Sequence, residues 1–527
     1  MAYTGKIAEL PVGSDGLTGT KNLALVKPTQ LLKSHGTTYE NGTIQKEGGA
    51  AKYNTTAISG APAVMAGWDW WPSTSTQHMI VVGSNGRILR DTGAGTFATR
   101  LASGLTVSGT IPVFVEGGKE VAANNPKLFC FTGKNGVRVL SATGATMTVL
   151  ASGPSDWAAT NQPTFGLIHE SRLWGGGNAN NAHRLYYSTT ANHESFNATG
   201  SGSVVVYPGE GEALTGAVSF KGYIICWKKP RGVYAVDTTD PAVANWKVKR
   251  ITSAVGMLSP RAFTVTDNDV VFVDNVASLQ ALSAVQEFGA LANRSLSQIA
   301  LMDPFVRDNI ALGKISVIQG IYYAAKREAH FAMPGLGTTQ NTVRLVVDFN
   351  RLDLPRFRWS ERDTPISMWL RKDANAVQRP MMGDDVGFVW SLDQTAKDKA
   401  GAGYTSEFQT PHIDLSHLDP KLGTMRKTGD FLELVVEPKG NWNLSVDVYW
   451  DSSLKETVYF NMGQTGGSLG SFTLDTDVLG GESILNKKRR ITGSGRRISL
   501  TARNSGADED YSVAKYFLHF RTTDERL

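Results

Sequence analysis

The densest charge in the chain is the run Lys487-Lys488-Arg489-Arg490, followed closely by Arg496 and Arg497. Clustered lysine and arginine recognise phosphate or an anionic protein surface. The same run also suits a solvated loop between two strands, and that is the favoured reading. Asp508-Glu509-Asp510 is close enough in sequence to offset it, within one molecule or across a subunit boundary. A second candidate is the aromatic group Trp68, Trp70 and Trp71, whose flat faces could form a sugar platform. Strand alternation puts Trp68 and Trp70 on one face and Trp71 on the other. Core packing is therefore favoured for the first two.

Catalytic patterns are harder to find. His193-Glu194 is followed by Ser195-Phe196-Asn197, which is not a His-Glu-x-x-His zinc helix. Gly209-Glu210-Gly211 lacks the third glycine and the following helix of a dinucleotide site, and no Walker loop occurs. The nine histidines are scattered. Asp267, Asp269 and Asp274 flank one strand, and Asp384 and Asp385 share a turn, but none has the spacing of a calcium loop. Dispersed carboxylates could still serve a propeller glycosidase, whose geometry does not show in sequence. No catalytic residue, metal ligand or cofactor is assigned.

The elements that carry these residues read as strands. From about residue 61 to 400 a unit recurs with a period of about 45 to 55 residues: apolar strand, turn, apolar strand, tight Gly-containing turn, third strand. Val64 to Trp71, Met79 to Val82 and Arg87 to Arg90 make one such unit. Cys130 and Cys226 each stand six residues before a Gly-Val pair, Gly136-Val137 and Gly232-Val233. Matching places within repeats make both thiols small buried hydrophobes in different blades. The expected fold is an all-β propeller of six or seven blades. Whether the Trp369 and Trp390 strands form their own blade or complete the first stays open. Ile315 to Ile318 is read as a strand. Ser295 to Leu312 breaks the pattern. Asp303 as N-cap, Pro304 at the first helical position and Gly313 past the end predict one or two short helices.

Residues 1–60 read as an extended strap. After residue 400 the strands lengthen and alternate cleanly, as in a β-sandwich over 401–527. The chain's 55 glycines, 41% hydrophobic and 19% charged residues fit a globular protein of short strands. A net charge of +5 is too small to imply nucleic-acid binding by itself. Two cysteines suggest no disulfide framework. Met1 to Leu10 lacks a signal-peptide core, and no run of about 18 apolar residues occurs. Synthesis in the cytoplasm and no membrane-spanning segment are expected.

The strap carries Asn22, Pro28, Tyr39-Glu40-Asn41-Gly42 and Ile44-Gln45-Lys46-Glu47-Gly48-Gly49 ahead of a propeller. That layout resembles the tail nozzle (tail tubular) proteins of short-tailed bacteriophages, the podoviruses. Ser295 to Ile299, a Ser-rich short helix between blades, and Met381 to Trp390, a late hairpin, are similar to features of that family. The resemblance implies a non-enzymatic virion protein: a homohexameric ring below the tail adaptor ring, near tail fibres or spikes. Phage DNA would pass through its channel without sequence specificity. Asn22, Pro28, Tyr39, Asn41, Gly48 and Gly49 become a candidate assembly strap. The six basic residues become a candidate anionic-partner or DNA-facing patch. The alternatives are a glycan-binding propeller of a tail fibre or spike complex and, behind it, a glycoside hydrolase.

Overall fold

The repeated hairpins fold as four-stranded antiparallel meanders arranged in a ring. The computed structural model describes residues 5–93, 95–118, 126–190, 192–209, 213–285, 290–351, 354–373, 375–463 and 484–523. The first blade is Val64–Trp70, His78–Gly83, Ile88–Arg90 and Thr99–Ala102. Four more follow, with inner strands Val113–Gly117, Phe165–His169, Leu214–Phe220 and Phe263–Val265. Next comes the meander Gln319–Tyr323, Glu328–Pro334, Asn341–Asp348 and Arg356–Ser360. The last blade is Ser367–Lys372, Gln378–Gly383 and Val389–Gln394, with Gly49–Lys52 as its outer strand. Six of these blades are separate four-stranded sheets, while the Gln319–Ser360 meander continues into a larger sheet. The Trp369 and Trp390 strands thus form their own blade, and a strand from the N-terminal segment completes it.

Burial follows the alternation. Val81, Val82, Leu128, Phe129, Ile224 and Ile225 are fully buried in second strands, as are Cys130 and Cys226. Cys130 lies opposite Phe114 and Arg138; Cys226 lies opposite Ala217 and Tyr234. Neighbouring blades approach closely where glycine replaces a side chain. A Cβ on Gly67 would sit 2.3 Å from the Trp369 ring, and one on Gly166 would sit 2.3 Å from the Phe131 ring. Each aromatic therefore packs on bare backbone of the next blade.

The break in the pattern is helical, with shifted ends. Ser295 caps Leu296–Ile299, its hydroxyl accepting from the Gln298 amide at 3.2 Å. The second helix is Asp303–Asn309, so Met302 stands at the N-cap and Asp303 is the first helical residue. It stops before Leu312 because Ile310 is extended, nearly fully buried and bridged to Gly335. Gly313 falls inside a 3-10 turn, Leu312–Val317, which replaces the strand expected over Ile315 to Ile318.

The C-terminal part is two stacked sheets. One orders Leu485–Arg490, Arg426–Val436, Ser512–Thr523, Thr43–Lys46 and Thr37–Glu40, with Lys6–Leu10 paired to Ser512–Thr523. The other orders Lys33–His35, Ser406–Gln409, Ile498–Asn504, Asn443–Trp450 and Ser453–Asn461. Leu432, Leu434, Val446, Val448, Trp450, Leu500 and Leu518 fill the space between them. Lys33–His35 also pairs with Arg356–Ser360, so one nine-stranded sheet runs from propeller to sandwich. The N-terminal segment expected as an extended strap supplies strands to both sandwich sheets and to the last blade.

Candidate functional site

The basic run is not a loop: it is the edge strand Leu485–Arg490, paired antiparallel to Arg426–Val436. Pleating divides its side chains. Lys487 and Arg489 share a face with buried Leu485 and reach across to the other sheet. Lys487 Nζ donates to the Gly463 carbonyl at 2.9 Å, and Arg489 Nε donates to the Tyr459 carbonyl at 3.1 Å. Burial and the Arg489 charge hold the Lys487 amine below its usual range. Lys488 and Arg490 are exposed on the opposite face, with Lys488 Nζ 4.7 Å above the Phe431 ring. Exposed positive charge on an edge strand also discourages edge-to-edge aggregation. Arg496 and Arg497 follow a tight turn, where their amides donate to Asp451 Oδ1 at 2.9 Å each. Of the six, Lys487 and Arg489 are committed to intramolecular contacts, and Lys488 and Arg490 face outward as a pair.

Asp508-Glu509-Asp510 is engaged away from this strip. The Lys397 amide donates to Asp508 Oδ1 at 3.0 Å, Asn504 Nδ2 donates to Glu509 Oε2 at 2.7 Å, and Asp510 lies 3.7 Å from Lys397 Nζ. These contacts sit beside Lys46, whose Nζ donates to Asn504 Oδ1 at 3.0 Å and the Gly506 carbonyl at 2.7 Å. Burial lowers the Lys46 pKa to about 8, against the pull of Glu509 and Asp510.

The candidate strap residues divide similarly. Asn41 (φ 50°) and Gly42 (φ 78°) make the two-residue turn between Thr37–Glu40 and Thr43–Lys46, a left-handed pair that Asn-Gly tolerates well. Tyr39 is buried under the Arg356 guanidinium, 4.5 Å from its ring centre, and burial raises its pKa to about 12. A Cβ on Gly48 would lie 2.5 Å from Asp393 Oδ1, and one on Gly49 2.2 Å from the Ala396 and Asp398 carbonyls. Both glycines are therefore required by backbone contact with the 393–398 turn. Asn22 is exposed, Pro28 is half-buried, and the two flank the exposed 3-10 turn at Leu23–Leu25.

Glu47 is a buried charged residue whose structural role the sequence did not reveal. Its carboxylate meets Arg344 at 2.8 Å, Arg358 at 3.8 Å and Arg362 at 3.9 Å. Arg344 also contacts Asp363 at 2.7 Å and His330 Nδ1 at 3.2 Å; Arg358 pairs with Glu328 and donates to the Thr37 carbonyl. All seven side chains are buried. Burial would raise the Glu47 and Asp363 pKa values, but the surrounding arginines hold both well below the carboxylate range. Glu328 is held down to about 2 against burial, chiefly by Arg358. Burial lowers the His330 pKa despite the pull of Glu328. The cluster ties residue 47 to the sixth meander where the two stacked sheets meet the propeller. The signal available was Glu47 beside Gly48-Gly49, but its partners are hundreds of residues away.

The acidic candidates are structural. Asp274 Oδ1 accepts from the Val276 and Ser278 amides, both at 2.9 Å. Asp384 Oδ1 accepts from the Val386 and Phe388 amides at 3.0 and 2.7 Å, and its Oδ2 from Trp390 Nε1 at 2.9 Å. Each aspartate closes a hairpin turn of its blade. Asp267 accepts from the Tyr322 hydroxyl at 3.1 Å, Asp269 lies 3.5 Å from Arg294, and Asp385 is exposed. His193 lies against the Ser171 carbonyl and Glu194 pairs with Lys127. Glu210 and Gly211 lie outside the described residues. Among the described residues no group of three or more His, Cys, Asp or Glu could hold a metal, and no helix is long and apolar enough to cross a membrane. Trp70 is fully buried, whereas Trp68 and Trp71 are half-buried and border one cavity.

No protein-family model and no curated protein matches the chain. Among solved structures, the computationally designed Ika8 protein matches over 65% of this chain and 100% of its own, at 10% identity and a TM-score of 0.37. At that score the likeness adds nothing to the reading of the site.

Proposed function

We propose that this chain is a structural subunit of a short-tailed phage tail, forming the hexameric nozzle ring through which DNA leaves the particle. The observation that carries the reading is the continuity of the body. One nine-stranded sheet spans propeller and sandwich, and the buried Glu47 cluster fastens the N-terminal segment across their junction. Such a body transmits load and leaves little room for a hinge. Unpartnered apolar side chains on and beside the helical insertion also support assembly: Ile299, Leu301, Leu312 and Leu336 are 44% to 72% exposed. Exposed apolar groups of this kind mark surfaces that a neighbouring chain covers. In a ring each subunit offers two different faces, and the outward pair Lys488 and Arg490 gives one region an anion-attracting character. Negative-stain electron microscopy and mass photometry of the purified chain test the reading. A six-membered ring with a central hole is expected. A stable monomer at micromolar concentration would refute it.

A further inference from the structure

The ring of blades encloses an axial hollow that the assembly does not explain. Two adjoining cavities of about 540 and 370 Å³ share Trp68, Glu116 and Arg261 as walls. The larger is in the size range of small-ligand sites. Its walls combine flat aromatic surface with the cationic side chain of Arg261. Trp71 is held in place because its Nε1 donates to Asp69 Oδ2 at 3.0 Å, and the same oxygen accepts the Lys372 amide at 2.9 Å. Trp369 also borders the cavity. It is only 2% exposed, and its indole N–H, like that of Trp68, has almost no accessible surface, so neither meets a ligand directly. Arg261 adds a charge. Its guanidinium donates to the Met368 carbonyl at 3.3 Å and makes no ion pair among the described residues. Burial lowers its pKa to about 10, which leaves it a cation at pH 7.

A half-buried guanidinium with no counter-ion among the described residues draws an anionic group into the hollow. A carboxylate is the group that pairs best with that guanidinium. The aromatic faces of Trp68 and Trp71 add that the rest of the ligand presents a flat, largely C–H surface. Asp69 Oδ1 on the same wall accepts from Gln77 Nε2 at 2.7 Å and has a lone pair left for a hydroxyl group. We infer that the propeller axis is a binding site for a carboxylate-bearing sugar, with Arg261 meeting the carboxylate and Trp68 and Trp71 flanking the ring. This site is independent of ring assembly, because every wall comes from one chain.

The test titrates glucuronic acid, and glucose as the neutral control, into the full chain, followed by saturation-transfer NMR and calorimetry. Binding of glucuronic acid at least tenfold tighter than glucose is expected. Arg261→Gln should remove that preference, bringing the two sugars within about twofold, while Trp71→Phe should weaken both. Trp71→Phe keeps an aromatic ring and serves as the working variant if Arg261→Gln does not fold. Glucuronic acid binding no tighter than glucose in the parent would overturn the inference. So would an undiminished preference in folded Arg261→Gln, or unchanged affinity in Trp71→Phe.

Discussion

Replacing Glu47 by glutamine keeps the shape of the junction and removes one charge from it. The carboxylate oxygens lie 2.8, 3.8 and 3.9 Å from nitrogens of Arg344, Arg358 and Arg362. At an effective dielectric of about 20, these separations correspond to gross attractions of about 6, 4 and 4 kcal/mol. Desolvation of the carboxylate and repulsion from Asp363 offset most of that. Removing one member of a buried ion cluster typically costs about 3–5 kcal/mol, because the remaining charges stay buried. The chain is too large for a single unfolding free energy to be meaningful. The assay is therefore native-state hydrogen exchange over Thr37–Lys46, the strands that the cluster pins. At about 1.4 kcal/mol per tenfold, their protection should fall by about two to three and a half orders of magnitude. The pH dependence gives a second reading. Glu47 ionises below its ordinary value of 4.5 in the folded chain, so its stabilisation is complete above that pH and fades as pH falls further. The parent should lose protection progressively below about pH 4.5. The variant should lose less, retaining only the part owed to Glu328 and Asp363. Protection within threefold of the parent at pH 7, with an unchanged pH profile, would refute the claim that this cluster holds the N-terminal segment in place.

Four further outcomes follow from the packing. Cys130 and Cys226 are fully buried and their thiols are pushed up to about 12, so neither should react with a thiol reagent until the chain is unfolded in urea. Gly67→Ala should lower hydrogen-exchange protection in the first and last blades by about 5- to 140-fold, because its Cβ meets the Trp369 ring where those blades join. Asp384→Ala strips acceptors from two amides and the Trp390 indole; exchange protection in the last blade should fall by about 30- to 140-fold, with a shift in tryptophan emission. If the outward face of the basic strand contacts DNA, reversing Lys488 and Arg490 to glutamate should flatten the salt dependence of DNA binding by a slope of about 1.8, measured by fluorescence anisotropy.

The propeller was legible because each blade is local. Its strands pair with sequence neighbours, and their burial shows as apolar runs separated by Gly-containing turns. The matched places of Cys130 and Cys226 came from that repetition. The helix ends were misplaced for a tertiary reason. Asp303, Pro304 and Gly313 are ordinary helix punctuation, but the bridge between Ile310 and Gly335 pulls the chain out of the helix early. Ile315 looks like a strand residue and is buried like one, although it sits in a 3-10 turn. Side-chain hydrophobicity recorded its burial and said nothing of its backbone.

The N-terminal segment shows a different limit. Thr37–Glu40 and Thr43–Lys46 are four-residue strands of mostly polar residues, and most of those residues are buried. Thr38, Gln45 and Lys46 give no hydrophobic alternation to read, because polar partners compensate their burial. Gln45 donates to Thr43, and Lys46 reaches Asn504 and the Gly506 carbonyl. Such strands are visible only once their partners are in place. The same holds for Glu47 and its arginines, and for Arg261, which reads as an ordinary surface cation until the blades close around it. The features bearing most directly on the proposed assembly and the inferred ligand site are long-range placements of polar groups, and periodicity carries no trace of them. The propeller supplies the frame, and the chemistry arises where distant polar residues are brought together without water.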